Sequence, residues 1–418
     1  MKKFLNYVLV YISLILLFSV LMIITYCLPN GRIRYHVAES IPLLESEGNG
    51  YNAFFDQPGS LLDVDTDTLI LNAAMNKGMN NSCIKNAFEN SFYADFKNTG
   101  VNLLKEAVNE NVVNNYEYSR YWHGIQIFIR PLLMFFNYSE IRYILMLVIF
   151  VLLGIVFSLL SKELGMSYSI IFAITISFMY IVLIPVSLQY SSIFIVSLFS
   201  IIATILLYKF KKDEYFGILF FVIGAVSTFF DLLTYPLVTL GFPVVIAALL
   251  QNSKENSLIK QMLNILKYGV LWALGYSLTF FAKWIVASIV LNKDVITSSI
   301  NQLLFRVNGN EVYTVSRLDT LKGNFNTFFV PIAKFVMICL GMIWIILYNF
   351  IRKDIKECKC VISLLCIAIV PYMWYLVFAG HSSIHSWFTN RIQAVTVFAI
   401  LSAMAYTLDF SKILRRIK

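Results

Sequence analysis

Long apolar runs recur from one end of the chain to the other, and they constrain its fold more than any other feature. A helix needs about 20 apolar residues to cross the hydrocarbon core of a bilayer. The runs predict about ten transmembrane helices, at roughly residues 4–28, 141–161, 166–184, 190–208, 216–231, 232–251, 268–291, 329–350, 361–379 and 391–408. The run at 216–231 is short, so the count could differ by one pair. The expected fold is all-α, a single integral-membrane domain over residues 1–418.

Composition agrees with this class and excludes others. Of the 418 residues, 59% are hydrophobic and 14% are charged, and the mean hydropathy is +0.72. Soluble domains do not carry that balance, whereas polytopic membrane proteins do. The net charge of +9 does not indicate nucleic-acid binding, because the lysines and arginines cluster in short loops between apolar runs.

The distribution of those basic residues predicts the orientation of the chain. Cytoplasmic loops of membrane proteins carry an excess of lysine and arginine. With ten spans, the basic loops all fall on one side, which places both termini in the cytoplasm. The residues concerned are Lys2, Lys3, Lys209, Lys211, Lys212, Lys254, Lys260, Lys267, Arg352, Lys353, Lys356, Lys359, Lys412, Arg415, Arg416 and Lys418.

This topology places three polar segments on the extracytoplasmic side. The largest is the loop 29–140, which is too long for a simple connection. We expect it to form short helices along the membrane surface, at residues 65–77, 98–112 and 117–136, the last kinked by Pro131. The second segment is 292–328, and the third is the turn at residues 380–391.

The loop 29–140 contains an acidic cluster in the stretch LLDVDTDTLILN, with Asp63, Asp65 and Asp67 within five residues. If a helix begins at Val64, Asp63 and Asp67 share one of its faces and Asp65 points elsewhere. An aspartate at a helix start also caps free amide groups, which is a structural explanation for at least one of the three. The functional alternative is a general base above the membrane.

Cationic side chains are expected at the rim of the membrane, in the turn that reads GHSSIHSWFTNR. His381 and His385 are four residues apart and would share a helical face, with Arg391 less than two turns further on. Arginine suits phosphate oxygens, so the group predicts an anion clamp, with an ordinary polar turn as the alternative. The stretch lacks the glutamate of HExxH, so no metal site is predicted, and a divalent metal is possible but not indicated.

Further ionisable residues lie in largely apolar surroundings. Asp231 follows the fifth predicted span, and Lys283 lies within the seventh. A charge in the membrane costs about 2.5–3.5 kcal/mol on insertion scales, so it normally faces a cavity or a partner. Snorkelling of Lys283 and an aromatic belt around Arg120 and His123 are the structural alternatives. Together with Arg306, these residues are predicted to contact the substrate.

The six cysteines show no disulfide framework, since of these only Cys27 and Cys83 are expected outside the cytoplasm. Cys358 and Cys360 lie in a basic loop without partner ligands at metal spacing. We interpret Cys358 and Cys360 as residues without a functional role.

The stretches LDVDTDTLILN, YSRYWHG, FFDLLTYPL and HSSIHSWFTNR resemble those of Gram-positive membrane proteins grouped with the GT-C superfamily of glycosyltransferases. The resemblance implies a large first extracytoplasmic loop with a catalytic carboxylate and a polyprenyl-phosphate or polyprenyl-diphosphate sugar donor. In the superfamily that carboxylate usually lies soon after the first span. Glu39 is nearer to the span than Asp63, so the base stays open among Glu39, Asp63 and Asp67.

The sequence therefore predicts a cell-membrane glycosyltransferase, GT-C-like and inverting, with its active site outside the cytoplasm and no certain cofactor. Its expected partners are a lipid-linked sugar donor, membrane lipids and a glycan, glycolipid or protein acceptor, and not nucleic acid. Two alternatives remain: a transporter or flippase for lipid-linked saccharides, and a polymerase or ligase acting on them. A flippase would be expected to show internal repeats and polar residues near the bilayer midplane, and neither is evident.

Overall fold

The computed structural model describes residues 2–48, 50–54, 56–75, 82–95, 97–109, 112–252, 257–353 and 359–409. In chain order its helices are α1 Lys2–Tyr26, α2 Asn30–Glu47, α3 Val64–Met75, α4 Cys83–Glu89, α5 Gly100–Val108, α6 Gln126–Leu133, α7 Tyr138–Glu163, α8 Met166–Ser177, α9 Leu188–Lys209, α10 Phe216–Phe230, α11 Val238–Gln251, α12 Leu258–Leu291, α13 Val295–Asn308, α14 Arg317–Phe328, α15 Pro331–Ile351, α16 Lys359–Val377, α17 Ala379–Ile384, α18 Ser386–Thr389 and α19 Ala394–Tyr406. The strands β1 Tyr51–Asn52 and β2 Leu61–Leu62 pair antiparallel.

Eight stretches of the described chain are helical, long and apolar enough to cross a membrane, which confirms a helical, polytopic membrane protein. They are Phe4–Tyr26, Tyr138–Glu163, Leu188–Lys209, Asp213–Phe230, Leu258–Leu291, Pro331–Ile351, Lys359–Val377 and Ser386–Tyr406. Each corresponds to one of the ten predicted spans. The helix α12 is longer than predicted, because its 34 residues begin at Leu258 and extend about 51 Å.

The other two predicted spans, 166–184 and 232–251, are shorter helices than expected. In the first, α8 is followed by a turn at Tyr180, whose φ of 54° lies in the left-handed region, and by a 3-10 helix over Ile181–Val186. In the second, α11 begins only at Val238, because Leu233 (φ 65°) and Pro236 interrupt the run. At about 1.5 Å per residue, neither helix alone reaches the roughly 30 Å of a hydrocarbon core.

The first polar segment, residues 29–140, folds into helices that pack on one another and on the spans. Ile33, Val37 and Leu44 line one face of α2 and are fully buried against residues of α3 and α5. The helix α2 was not predicted, whereas α3 overlaps the predicted helix 65–77 and α5 falls within the predicted helix 98–112. Residues 76–81 and 110–111 lie outside the described part of the chain. The predicted helix 117–136 is wrong over its first half, because only Gln126–Leu133 of this stretch forms an α-helix.

Arg130 on α6 holds the segment against α1, a role that the sequence did not reveal. Its side chain is fully buried and donates hydrogen bonds to the carbonyl groups of Thr25, Ala74 and Leu28. It also donates to Oδ1 of Asn30 at 2.8 Å. One guanidinium thereby satisfies acceptors at the ends of α1 and α3 and at the start of α2, which fixes how the segment sits on the first span.

The sequence indicated no disulfide framework, but the two cysteines expected outside the cytoplasm form a disulfide. Cys27, after α1, forms a disulfide with Cys83 at the start of α4, with a Cα–Cα distance of 5.2 Å. Of the others, Cys339, Cys360 and Cys366 are free, and Cys358 lies outside the described residues. The same holds for Lys254, Lys356 and the basic residues from 412 onward.

Candidate functional site

A cavity of about 140 Å³ lies between α12, α13 and the residues just before α6. Its walls are largely apolar, with Tyr121, Phe280 and Trp284 among the lining residues, and Arg120 and Arg306 line it from different elements. Apolar cavities with a few polar groups are the usual form of small-molecule sites.

The backbone around His123 places Arg120 and Tyr121 at the cavity. His123 has a φ of 54°, an uncommon conformation for a residue other than glycine, and Gly124 then donates its N–H to the Phe229 carbonyl at 2.8 Å. A side chain at Gly124 would lie 2.4 Å from that oxygen, so the close approach to the end of α10 requires glycine. The Trp284 indole donates to the Arg120 carbonyl at 3.0 Å and fixes the other side.

The two arginines at the cavity have no carboxylate ion pair within the described chain. The guanidinium carbons of Arg120 and Arg306 each lie 5.7 Å from the centre of the Tyr121 ring. The Nε atoms of both arginines and Oγ of Ser299 are buried and lack a hydrogen-bond partner among the described residues. Buried polar groups are nearly always satisfied, so these three atoms, on residues that line one cavity, are its candidates for contact with a polar ligand.

His381 connects the cavity to the predicted clamp. Its Nδ1 is hydrogen-bonded to the Arg306 guanidinium, and its Nε2 lies 2.6 Å from the Leu233 carbonyl. Because guanidinium can only donate, Nδ1 accepts and Nε2–H donates to Leu233, which fixes a neutral ring. Burial, followed by the charge of Arg306, holds the pKa of His381 well below its usual value.

His385 lies one turn further on, with its ring 4.8 Å from that of His381. It stacks on Phe388 and contacts the Trp387 ring edge-on, each at 5.1 Å between centroids. Burial and then Arg306 lower the pKa of His385 to about 4, so it is neutral at pH 7. Its Nδ1 is buried without a partner in the described structure.

Asp63 lies at the other end of this row of rings. The Trp387 indole donates to Oδ2 of Asp63 at 3.1 Å. Asp63 also caps α3, accepting from the Thr66 backbone N–H at 3.0 Å and from the Thr66 hydroxyl at 2.9 Å. Its side chain is 5% exposed. The capping role and the position beside the histidine pair therefore coexist in one carboxylate.

Arg391 does not line this cavity. Its side chain is fully buried and donates to the carbonyl groups of Met179, Trp387 and Gly59 at 3.3, 2.8 and 3.2 Å. The guanidinium also lies 4.1 Å from the centre of the Tyr190 ring. These contacts join four chain segments around Asp63, so the geometry favours a positioning role over direct contact with an anion.

Asp67 and Glu39 lie apart from the cavity. Asp67 is fully buried and accepts from the Tyr138 hydroxyl (2.6 Å), from the backbone N–H groups of Leu188 (2.8 Å) and Gln189 (3.1 Å) and from Ser187 Oγ (3.2 Å). It therefore satisfies the free amides at the start of α9. Burial outweighs these donors and raises its pKa to about 6. Glu39 is exposed on α2, hydrogen-bonded to Tyr35.

Lys283 and His123, which were also predicted to contact the substrate, do not line the cavity. Lys283 is fully buried and donates to the Phe88 carbonyl at 2.8 Å, with its ammonium 5.6 Å from the Trp122 ring centre. His123 lies 3.2 Å from the Tyr118 carbonyl, and burial followed by the charge of Lys283 lowers its pKa to about 3. Lys283 therefore does not snorkel, because its charge has an internal acceptor.

Asp231 does not line the cavity but lies next to Tyr276, which does. Its carboxylate accepts from the backbone N–H of Thr234 at 2.8 Å and from the Thr234 hydroxyl. The Tyr276 hydroxyl, whose ring lines the cavity, lies 3.5 Å from Oδ2 of Asp231. Asp231 thus supports the turn after α10 that presents the Leu233 carbonyl to His381.

Among the described residues, no three histidine, cysteine, aspartate or glutamate side chains form a group that could hold a metal ion. Comparison of the chain with family models, with curated proteins and with solved structures finds no match in any of the three. The function is therefore argued from the chain's own residues.

Proposed function

We propose that this protein is a membrane glycosyltransferase of the GT-C type that moves a sugar from a polyprenyl-phosphate-type lipid donor to an extracytoplasmic acceptor. The observation that carries the proposal is the cavity wall, where Arg120, Arg306 and Ser299 present buried polar atoms without partners. A phosphate group supplies the acceptor oxygens that these donors lack, and arginine binds phosphate in a planar, bidentate manner.

The proposed reaction requires stabilisation of the leaving group at one end of the site and a proton acceptor at the other. An acceptor hydroxyl oxygen attacks the anomeric carbon of the sugar as the bond from that carbon to the donor phosphate breaks. The lipid phosphate departs with the electron pair and is stabilised by Arg120 and Arg306. The hydroxyl proton passes to a carboxylate, and Asp63 is the best placed of the three candidates because Trp387 joins it to the histidine pair. Such a base contributes ~10²–10⁴-fold in rate.

The acceptor is a cell-wall or surface glycopolymer, a glycolipid or a protein on the extracytoplasmic side. Two independent observations support an extracytoplasmic position for the acceptor. The basic loops predict cytoplasmic termini, and the disulfide joins Cys27, at the outer end of the first predicted span, to Cys83 in the segment that this orientation exports. Disulfides persist in oxidising compartments outside the cytoplasm.

A transporter or flippase, or a polymerase or ligase, would also use a cationic cavity for a lipid-linked saccharide. The transferase differs from a flippase in one measurable respect, because it must form a new glycosidic bond. It differs from a polymerase in that it transfers one sugar, not a growing chain.

The first experiment measures binding of the lipid phosphate itself. Purified protein in nanodiscs is titrated with a polyprenyl phosphate and with the polyprenol of the same length, which lacks the phosphate. We expect the phosphate to bind at least tenfold more tightly, about 1.4 kcal/mol. The variant Arg306→Gln should lose this preference, and Arg32→Gln, which removes an exposed arginine on α2, should keep it. Equal affinity for both lipids would overturn the proposal.

The second experiment tests transfer. Wild-type protein is incubated with polyprenyl phosphates carrying different radiolabelled sugars, in the presence of membranes as a source of acceptor. Label that appears in a new glycoside supports the transferase. Label that crosses the bilayer while it stays on the lipid supports the flippase, and long chains of label support the polymerase.

A further inference from the structure

The disulfide between Cys27 and Cys83 ties the short helix α4 to the end of α1. Cys83 is the first residue of α4, and Cys27 is exposed. In the first turn of α4 Ile84 and Lys85 are also exposed, whereas Phe88 in its second half is buried. A helix of seven residues has little stability of its own, so α4 depends on the disulfide at one end and on packing at the other.

The buried end of α4 supports the α12 side of the cavity. The Phe88 carbonyl accepts the hydrogen bond from the Lys283 ammonium and is its one acceptor among the described residues. Lys283 is followed on α12 by Trp284, which lines the cavity and donates to the Arg120 carbonyl. A buried charge that loses its partner is strongly destabilising, so a displacement of α4 would disturb α12 beside the cavity.

The chain that follows α4 supports the Arg120 side of the cavity. The Tyr118 N–H donates to the Glu89 carbonyl at 3.1 Å, at the end of α4. Phe92 and Tyr116 each donate to the carbonyl of the other, at 3.0 and 3.1 Å. The guanidinium carbon of Arg120 lies 4.4 Å from the centre of the Tyr118 ring. The position of Arg120 therefore depends on a segment that α4 anchors.

The end of α1 has a second attachment to the first polar segment, and this attachment does not use the disulfide. The buried Arg130 of α6 donates to the carbonyl groups of Thr25 and Leu28. These two residues lie on either side of Cys27, so α1 and α6 stay joined when the disulfide is opened. Loss of the disulfide therefore frees the first turn of α4 without releasing the whole segment.

We propose that the disulfide between Cys27 and Cys83 is a redox switch for the cavity, because only the oxidised form holds α4 where it supports Arg120 and Trp284. An extracytoplasmic dithiol reaches the exposed Cys27 and reduces the pair. Two electrons and two protons pass from the dithiol, which leaves two cysteine thiols on the protein and a disulfide on the reductant. Both walls of the cavity then loosen, and its affinity for the lipid phosphate falls. The identity of that ligand rests on the proposed function, whereas the coupling of α4 to the cavity does not.

The coupling of α4 to the cavity is tested by hydrogen–deuterium exchange in nanodiscs, without any lipid phosphate or sugar donor. Wild type is compared before and after treatment with dithiothreitol, and the matched control is the double variant Cys27→Ser with Cys83→Ser. We expect reduction to speed exchange about tenfold in α4 and over residues 116–120, and the control to exchange fast with and without the reductant. Unchanged exchange over residues 116–120 would overturn the proposal. An equal increase in α9 would also overturn it, because the disulfide would then stabilise the whole fold.

The effect on the ligand is tested by titration with a polyprenyl phosphate. The reduced protein should bind about tenfold more weakly than the oxidised protein, and reoxidation with oxidised glutathione should restore the affinity. The double serine variant should bind as weakly as the reduced protein under both conditions, while Cys339→Ser, which removes a free cysteine on α15, should respond like wild type.

Equal affinity of the oxidised and the reduced protein for the lipid phosphate would overturn the switch while leaving the proposed function in place. An oxidised protein that binds the phosphate no better than the polyprenol would overturn the proposed function instead. In that case the exchange experiment alone decides whether the disulfide controls the cavity.

Discussion

The indole N–H of Trp387 donates a hydrogen bond to Oδ2 of Asp63 over 3.1 Å, although 324 positions separate the two residues in sequence. This contact joins the acidic cluster of the first polar segment to the turn before α19. On the other side of Trp387 lie His385 and His381, and His381 bonds to Arg306 at the cavity. The carboxylate and the cationic cavity are thus connected through adjacent aromatic rings.

The contact between Trp387 and Asp63 predicts graded effects on sugar transfer. Asp63→Asn should reduce the rate by ~10²–10⁴-fold, as expected for the loss of a general base. Trp387→Phe keeps the ring and removes one hydrogen bond to a charged group, a loss of about 1.5–3 kcal/mol, or roughly ten- to a hundredfold in rate. Asp65→Asn, on an exposed side chain, is the control. A near-normal rate for Asp63→Asn would transfer attention to Glu39.

Substitutions of the two arginines near the histidine pair are expected to affect different properties, lipid binding for Arg306 and stability for Arg391. Arg306→Met should weaken polyprenyl-phosphate binding by one to two factors of ten and lower stability less than Arg391→Met does, because among the described residues it leaves one acceptor, Nδ1 of His381, without its donor. Arg391→Met leaves three carbonyl groups without donors and should lower stability by about 2–5 kcal/mol. Thermal unfolding and lipid titration of both variants check this. The same loss of stability in both would contradict the distinction.

We expect Asp67 to contribute to the stability of the folded protein. Asp67→Asn replaces a carboxylate oxygen by an amide group that cannot accept from the α9 amides and from Tyr138 together. We expect the free energy of unfolding to fall by roughly 1–3 kcal/mol. The measurement is thermal unfolding in detergent, with Asp65→Asn as the control. If Asp67→Asn melts like wild type yet abolishes transfer, Asp67 replaces Asp63 as the base.

His385 predicts a dependence of stability on pH. Its pKa is lowered from 6.5 to about 4 in the folded protein, so the neutral ring is favoured by folding. The resulting stability is complete above the unfolded pKa of 6.5 and is lost as the pH falls toward 4, by roughly 3 kcal/mol at most. The difference in melting temperature between wild type and His385→Asn should therefore shrink from pH 7 to pH 4. A constant difference would contradict this.

The orientation predicts a labelling pattern. A membrane-impermeant thiol reagent added to intact cells should label Val113→Cys, whose side chain in the first polar segment is 58% exposed. It should not label Lys212→Cys, an exposed position after α9, until the cells are opened. The pair Cys27 and Cys83 should be resistant to the reagent before reduction. The reverse pattern would place the site in the cytoplasm and remove the acceptors proposed for it.

The sequence was sufficient for the features that depend on local patterns. Membrane spans follow from uninterrupted apolar length, and eight of the ten predicted stretches are helices of that kind. The start of α3 at Val64 followed from the capping preference of Asp63. The two stretches that failed as full spans contain Tyr180 and Leu233, whose left-handed backbone has no signal in the residue type, although Pro236 beside Leu233 is a signal for an interruption.

Only the tertiary structure decided which charged residues share the site. Arg120, Arg306, Arg391 and Lys283 are all cations in apolar surroundings, and nothing in their sequence neighbourhoods separates them. The fold gives Lys283 and Arg391 carbonyl acceptors in the interior and leaves Nε of Arg120 and of Arg306 without a partner at a cavity. The reason is physical: apolar length is a property of one segment, whereas the hydrogen bonds that satisfy a buried charge come from segments that only folding brings together.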